Sequence, residues 1–215
     1  MTQAIKSKLD TFFNQHHKHS YKKGELLIRA GDEPQGIMYL VNGRVKVYTI
    51  SRKGEEVIVN IFKEGSFFPM SWALDSLPNR YFFEALTPVE VWRAPKQDVI
   101  DFLHREPEVL FDLLTRVYSG MEGVLLRMAY LMGEDAYTRL VSELLITAKR
   151  FGQKNSDQTL TLELSEKDLA AQTGMTRETV SREMKKLKQK KLINLKKDTM
   201  VIANLSHLEA ELENL

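Results

Sequence analysis

The chain has 215 residues, of which 43% are hydrophobic and 28% charged, and its formal net charge is +2. These values are ordinary for a soluble globular protein of one large or two modest domains. The chain contains no cysteine, which excludes disulfides, thiolate nucleophiles, and zinc or iron–sulfur sites held by cysteine. The sequence has no apolar run of about 18 residues and no signal-peptide core near its start, so we expect a cytoplasmic protein and no membrane partner.

Residues 1–20 predict a short helix followed by a histidine-rich segment, His16, His17 and His19. Histidines are common metal ligands. Because no acidic or cysteine ligand lies near them in the sequence, we interpret the segment as a polar connector and predict no metal site.

Between Tyr21 and about Pro95, short apolar runs alternate with turn residues, a pattern typical of a many-stranded β unit. Asn42-Gly43 is the strongest hairpin signal because both residues tolerate positive φ. It predicts that residues 38–41 pair with residues 45–50.

A long helix is predicted to open at Glu106-Pro107 and to run to about Glu134. Its apolar residues are spaced alternately by four and three, the heptad pattern of a coiled coil, which predicts a homodimer. The interface residues are Leu110, Leu114, Val117, Met121, Val124, Met128 and Leu131. Leu113, Tyr118 and Leu125 widen the apolar face, so the helix is also expected to pack on its own domain.

The stretch from Leu164 to Ile193 predicts two short helices joined by a tight turn. Ser165 and Thr176 are suitable caps for the two helices, and Gly174 permits the sharp bend between them. The expected buried stripe of the second helix is Val180, Met184 and Leu187. We interpret this unit as a DNA-reading helix-turn-helix.

The other faces of the second helix are polar and basic. Arginine can donate two hydrogen bonds to guanine, and glutamate can accept one from cytosine. The predicted base-reading residues are therefore Arg177, Glu178, Ser181 and Arg182. The predicted phosphate contacts are Ser165, Thr176, Thr179, Lys185, Lys188, Lys196 and Lys197, and the other lysines of this region, Lys186, Lys190 and Lys191, have the same chemistry.

The basic charge is local. Residues 165–197 hold ten lysines and arginines against four acidic residues, although the whole chain is only +2. A solvated amphipathic helix in a bundle is the alternative interpretation, but it would leave the caps, the glycine and this charge without a role.

Further elements are expected around this unit. They are a helix over residues 137–151, a polar stretch over 152–158, a wing with strands over 193–195 and 200–202 and a turn near Lys197-Asp198, and an acidic helical tail over 206–215.

The string TRETVSREMKKLKQKKLI closely resembles the recognition helix of the CRP/FNR superfamily of bacterial transcription regulators. The string YKKGELLIRAGDEPQGIMYLVNGRVKVYTISRKGEEVIVNIFKEGSFF resembles their cyclic-nucleotide-binding β-roll. The resemblance covers almost the whole chain and implies an α+β fold: a double-stranded β-helix of the jelly-roll type, a dimerisation helix and a winged helix-turn-helix. The expected boundaries are 1–106, 107–134 and 135–215.

The resemblance also implies partners. Double-stranded DNA is expected, with TGTGA-like palindromic half-sites inferred from the pattern of Arg177, Glu178 and Arg182. RNA polymerase is the second implied partner, and the surface loop Gly152–Gln158 is the candidate contact of an activator.

The segment GSFFPMSWALDSLPNRYFFEA departs from the cyclic-AMP-binding members. In those, a glycine–glutamate pair holds the ribose and an arginine–serine pair binds the phosphate. Here Gly65 and Arg80 match, but Ser66 replaces the glutamate and Tyr81 replaces the serine. The possible effector pocket comprises Ser66, Phe67, Phe68, Met70, Trp72, Arg80, Tyr81, Val124 and Leu125, the last two aligned from the long helix.

These departures predict that the sensor domain binds another small effector or works without one. In the effector-free interpretation, the aromatic side chains fill the space that the nucleotide occupies in cyclic-AMP-binding members. A cyclic-AMP-responsive regulator with a variant cassette is the alternative.

Two other classes of protein are less consistent with the sequence. A cupin-like enzyme would need a metal set or a nucleophile constellation in its β segment, and the histidine cluster lies outside that segment. A stand-alone ligand-sensing module would leave the basic region unexplained. We therefore predict no catalytic residues and no cofactor.

Overall fold

The structure is a computed structural model that describes residues 1–52, 54–133, 135–196 and 199–213. The chain divides into two compact units, Met1–Tyr118 and Ser119–Leu215. Among the described residues, no helix combines the length and the apolar character needed to cross a membrane.

The first unit contains two four-stranded antiparallel sheets. Its strands are β1 His17–Tyr21, β2 Leu26–Ile28, β3 Ile37–Asn42, β4 Arg44–Ile50, β5 Glu56–Lys63, β6 Phe67–Phe68, β7 Phe82–Ala85 and β8 Val89–Ala94. One sheet has the order β1-β8-β3-β6 and the other has the order β2-β7-β4-β5. The predicted many-stranded β unit is confirmed, and the histidine segment, interpreted as a connector, forms strand β1 instead.

Alternation along β3 separates two cores. Met38 and Leu40 are buried with residues of the second sheet, such as Val45 and Val47, in a core between the two sheets. The side chains with the opposite parity, such as Tyr39, are buried against helices. These helices are α1 Gln3–Phe13, α3 Lys96–Arg105 and the start of α4 Pro107–Gly133. The period of two in an extended strand accounts for this division.

The predicted hairpin at Asn42-Gly43 is wrong. β3 pairs with β8 and β6, whereas β4 pairs with β5 and β7, so the chain crosses from one sheet to the other at this point. Gly43 has φ +93°, and an added Cβ would lie 2.3 Å from the carbonyl oxygen of Pro88. The glycine therefore permits a close crossing of two backbones rather than a two-residue hairpin turn.

The second unit contains the C-terminal part of α4 and a helical domain with a small sheet. Its other helices are α5 Ala136–Phe151, α6 Glu166–Thr173, α7 Arg177–Gln189 and α8 Leu205–Glu213. Its strands are β9 Gln153–Lys154, β10 Leu160–Leu162, β11 Ile193–Lys196 and β12 Thr199–Ile202. The sheet order β11-β12-β10-β9 is antiparallel throughout.

The helix-turn-helix and the wing strands agree with the sequence expectations, although β9 and β10 were not expected. Their hairpin extends the wing sheet on the side of the polar stretch 152–158. The predicted wing turn at Lys197-Asp198 lies outside the described residues. A continuous apolar core, with Leu140, Leu162 and Met200 at its centre, joins α5 to both the sheet and the recognition helix.

Replacing Gly43 by alanine should lower the free energy of unfolding by about 2 kcal/mol or more, because the added Cβ meets a backbone oxygen as well as a strained φ. Gly54 is the matched control. It has a similar φ of +79°, but no atom among the described residues lies within 4 Å of an added Cβ. Urea denaturation of Gly54→Ala should show a loss of about 1 kcal/mol, and equal losses in the two variants would contradict this account of the crossing.

Candidate nucleic-acid interface

The helix-turn-helix is built by local capping signals. The Ser165 hydroxyl accepts a hydrogen bond from the Asp168 backbone N–H at 3.1 Å, and the Asp168 carboxylate accepts from the Ser165 backbone N–H, also at 3.1 Å. This reciprocal pair is a capping box that fixes the start of α6. Gly174 ends α6 with φ +65° in the left-handed region, and the Thr176 side chain accepts from Thr179 N–H to start α7.

The recognition helix α7 has one buried and one exposed side. Val180, Met184 and Leu187 are fully buried, as their spacing predicts. The exposed side carries Glu178, Ser181, Arg182 and Lys185, spaced at i, i+3, i+4 and i+7, and Arg177 is exposed next to them. These five side chains therefore share one contiguous helical surface.

The predicted hydroxyl contacts with phosphate already have structural partners. Ser165 also donates its O–H to Asp168 at 2.6 Å, and the hydroxyls of Thr176 and Thr179 lie 3.0 Å apart. All three residues belong to the caps that shape the unit. Any contact they make with DNA would be additional to this role.

The lysines of α7, and Lys190 at its C-terminal cap, differ in their ion pairs, which the sequence did not reveal. Lys186 Nζ lies 2.5 Å from a carboxylate oxygen of Glu183, and Lys190 forms an ion pair with Glu211 of α8. Among the described residues, Lys185 and Lys188 are exposed and form no ion pair. The side chain of Lys196 and the whole of Lys197, both predicted phosphate contacts, lie outside the described set.

Glu183 is the feature of α7 that sequence reasoning missed. It is only 4% exposed and contacts both Arg182 and Lys186. A glutamate in a helix rich in polar residues normally indicates a solvated position. The signal that could have identified Glu183 is its spacing, three residues after Val180 and four before Leu187, which places it on the buried stripe of α7.

The apolar residues of the predicted effector pocket in the first unit belong to two separate cores. Phe68 lies between the sheets, where its ring stacks on Phe62 at 4.8 Å and on Phe83 at 5.3 Å. Phe67, Met70 and Trp72 belong instead to the helix-side core. Ser66 lies in the turn between β5 and β6, before the short helix α2 Met70–Asp75, and is half-buried; Arg80 and Tyr81 are exposed. Val124 and Leu125 are exposed in the second unit.

Among the described residues, no group of three or more histidine and carboxylate side chains is arranged to hold a metal ion. His19 has a lowered pKa because it is partly buried and because Arg93 and His17 lie near it. The histidine-rich segment is accommodated as a strand, in which His17 pairs with Arg93 and His19 with Val91.

Two family models match the chain. A cyclic nucleotide-binding domain covers residues 18–106 and a Crp-like helix-turn-helix domain covers residues 138–211. The chain is also 30% identical over 186 residues to a global nitrogen regulator of Nostoc sp., in an alignment that covers 85% of this chain and 83% of the relative. The chain belongs to the CRP/FNR family of transcription regulators. Members of this family regulate transcription and are not enzymes.

Other relatives agree with this CRP/FNR assignment. The regulator is 24% identical over 202 residues to the cAMP-activated global transcriptional regulator CRP of Pasteurella multocida, covering 94% of this chain and 97% of the relative. Its fold is similar to that of the c-di-GMP responsive global regulator CLP of Xanthomonas campestris, with a TM-score of 0.78 and 20% identity over 92% of this chain and 98% of that chain. The expected α+β fold with a winged helix-turn-helix is thereby confirmed.

In this regulator a buried ion pair joins the C-terminal part of α4 to α5, the helix that carries the reading unit. Arg127 donates from Nε and Nη2 to the two carboxylate oxygens of Glu143, at 2.8 and 2.7 Å. Glu143 is only 3% exposed. Burial raises the pKa of its carboxyl above the usual value, while the charges of Arg127 and Arg150 act in the opposite direction.

Replacing Arg127 by alanine should lower the free energy of unfolding by about 3–5 kcal/mol at neutral pH, because it removes the cation that donates to both oxygens of a buried carboxylate. A carboxyl whose pKa is raised in the folded state binds its proton more tightly there than in the unfolded chain. Its stabilising contribution is therefore present at acid pH and is lost as pH rises through the folded-state pKa.

The loss in Arg127→Ala should consequently become smaller as pH falls from about 7 to about 5, because Glu143 takes up a proton. Urea denaturation across this range measures the effect. The double variant Arg127→Ala/Glu143→Leu is the control and should regain most of the stability. A loss that does not depend on pH, or no recovery in the double variant, would contradict the assignment.

Proposed function

We propose that this regulator binds, as a homodimer, palindromic DNA with TGTGA-like half-sites, and that Arg177, Glu178, Ser181 and Arg182 read the bases. The exposed surface of α7 supports the proposal, since these side chains adjoin one another on a helix whose opposite side is anchored in the core. A helix of this kind fits the major groove with its N-terminal residues against the base edges.

The chemistry of the surface matches G·C-containing half-sites. The guanidinium groups of Arg177 and Arg182 each offer two donors to the O6 and N7 of a guanine. The carboxylate of Glu178 accepts from the N4 amino group of a cytosine. Ser181 provides a short hydroxyl between them, which allows the helix to approach the groove closely.

Phosphate contacts are proposed for Lys185 and Lys188, which are exposed and form no ion pair with any residue that the structure describes. We keep Ser165, Thr176, Thr179, Lys196 and Lys197 as additional phosphate contacts. Lys186 and Lys190 are less suitable, because Glu183 and Glu211 already neutralise them. Such contacts position the helix on the duplex without selecting a sequence.

The dimer is proposed from the exposed apolar side chains of α4. Six of the seven seam residues, Leu110, Leu114, Val117, Met121, Val124 and Met128, are between 37% and 55% exposed in the single chain. The side chain of the seventh, Leu131, lies outside the described set. An apolar stripe of this length is typical of a surface that another protein chain covers. A two-fold dimer would place two α7 helices in successive major grooves.

For the first unit we propose that cyclic AMP is not the effector, and that the DNA-binding state forms with another small molecule or without any. The stacked rings of Phe62, Phe68 and Phe83 support this view because they occupy the core between the sheets. The exposed positions of Arg80 and Tyr81 also support it. Relatives are named for different effectors, cAMP in one and c-di-GMP in another, so family membership leaves the effector open.

We also propose that the β9–β10 hairpin contacts RNA polymerase and that the protein is an activator. Its turn is exposed and ordered by side chains, since Asn155 donates to the hydroxyls of Thr159 and Thr161 at 2.8 and 2.9 Å. An ordered, exposed polar loop is suited to a protein contact.

Arg182→Ala should weaken binding to the palindrome by about 1–3 kcal/mol in free energy, and it should relax discrimination at one base pair of each half-site. Lys188→Ala is the matched control, and it should weaken palindromic and scrambled duplexes alike, because it removes a phosphate contact. Fluorescence anisotropy with both duplexes at fixed salt measures both effects. Equal losses on the two duplexes for Arg182→Ala would defeat the base-reading assignment.

Met121→Glu should convert the dimer to monomers, because two carboxylates would face each other in an apolar seam without partners. The dimer dissociation constant should rise at least about a hundredfold. Sedimentation velocity across a concentration series measures this. Thr115→Glu introduces the same residue at an exposed position of α4 outside the seam and should leave the dimer intact, and a stable Met121→Glu dimer would contradict the proposed interface.

A further inference from the structure

Glu183 is an acidic residue near the middle of the basic recognition helix, and it is nearly inaccessible to solvent. It is 4% exposed, whereas the side chains of its partners Arg182 and Lys186 are 68% and 53% exposed. A buried carboxylate destabilises a fold unless cations or hydrogen-bond donors compensate it. In α7 both compensating cations come from the helix itself.

The two contacts are made by different oxygens of the carboxylate. Arg182 Nε lies 3.3 Å from Oε1 and Lys186 Nζ lies 2.5 Å from Oε2. Because the arginine is held through Nε, its two terminal nitrogens remain for other acceptors. The O6 and N7 atoms of a guanine edge are such a pair of acceptors.

We propose that Glu183 is a positioning residue for sequence recognition, which orients the Arg182 guanidinium towards the base edge before DNA is bound. The inference rests on the proposed function, in which Arg182 reads a base. A long side chain loses rotational freedom when it binds, and this loss opposes binding. A buried carboxylate that already fixes Nε reduces the loss, so the correct base pair is recognised with less reorganisation.

Two other roles for Glu183 predict different changes in DNA affinity when the carboxylate is removed. If its charge only repelled the phosphates, removing it would strengthen binding to every duplex equally. If its role were only structural, removing it would lower the melting temperature and weaken binding to every duplex together. A positioning role alone changes the ratio between specific and non-specific binding.

The test uses the full-length protein and two labelled duplexes. The first is the sequence that the wild type selects from a pool with a randomised centre, and the second is a scrambled duplex of the same length. The Kd ratio is the Kd for the scrambled duplex divided by the Kd for the selected one. For Glu183→Gln we expect this ratio to fall about fivefold, which corresponds to one modest polar interaction. The Kd for the scrambled duplex should stay the same or decrease.

The matched control is Glu209→Gln. Glu209 forms an ion pair with Lys149 away from α7, at 2.7 Å, so the variant makes the same change in charge. Its Kd ratio should equal that of the wild type. A fall in the ratio as large as that of Glu183→Gln would show that net charge is responsible, and would overturn the proposal.

A double-mutant cycle separates this inference from the function on which it rests. In an Arg182→Ala background, Glu183→Gln should leave the Kd ratio unchanged. If the wild type selects no sequence, or if Arg182→Ala alone leaves the ratio unchanged, the base-reading function is wrong. If Arg182→Ala lowers the ratio but Glu183→Gln does not, or if Glu183→Gln still lowers it in that background, the positioning role is wrong.

Circular dichroism establishes whether each variant folds. Should Glu183→Gln not fold, Glu183→Asp takes its place, because it keeps the charge and shortens the reach to Arg182 by one methylene. An unchanged Kd ratio in folded Glu183→Asp would then contradict the proposal, and a ratio lowered at constant net charge would support it.

Discussion

The proposed DNA-reading surface depends on the burial of one apolar stripe. Val180, Met184 and Leu187 of α7 are fully buried, and α7 packs against α5 and α6. This packing fixes the rotation of the helix about its axis. The rotation in turn determines that Glu178, Ser181, Arg182 and Lys185 emerge together on the opposite side.

The same stripe explains how a strongly basic helix can be stable. Several positive charges on one face repel one another, and this repulsion destabilises α7 as an isolated helix. The apolar core beneath the helix supplies the stability, and Glu183 and Glu211 neutralise Lys186 and Lys190 at its border. Within the described part of the chain, Lys185 and Lys188 form no ion pair, and in the proposed complex the phosphate backbone of DNA would neutralise them.

The sequence predicted the elements whose causes are local. The caps Ser165 and Thr176, the bend at Gly174 and the buried stripe of α7 depend on residues three or four positions apart, and the structure confirms them. The pairing of strands depends on residues far apart in the chain. Asn42-Gly43 looked like a hairpin, but Ile37 pairs with Ala94 in one sheet while Arg44 pairs with Lys63 in the other.

In the candidate site, too, the features that depend on residues far apart in the chain could not be predicted from the sequence. The base-reading residues could be proposed from their chemistry and spacing, but the ion pairs that restrict Lys186 and Lys190 depend on burial and on α8. The effector pocket was predicted from the resemblance of the aromatic segment to the cyclic-AMP-binding cassette. In the folded unit Phe68 and Phe67 are consecutive residues of β6, so they point to opposite faces of the sheet and enter different cores.

The most direct test of the account is fluorescence anisotropy of a labelled TGTGA-type palindrome titrated with the protein at fixed salt, with and without cyclic AMP. The account predicts that the palindrome binds at least about a thousandfold more tightly than a scrambled duplex, and that cyclic AMP leaves this unchanged. Equal binding of the two duplexes would contradict recognition by α7 in a DNA-binding state that forms without an effector. Tight binding that requires cyclic AMP would contradict the proposal for the first unit.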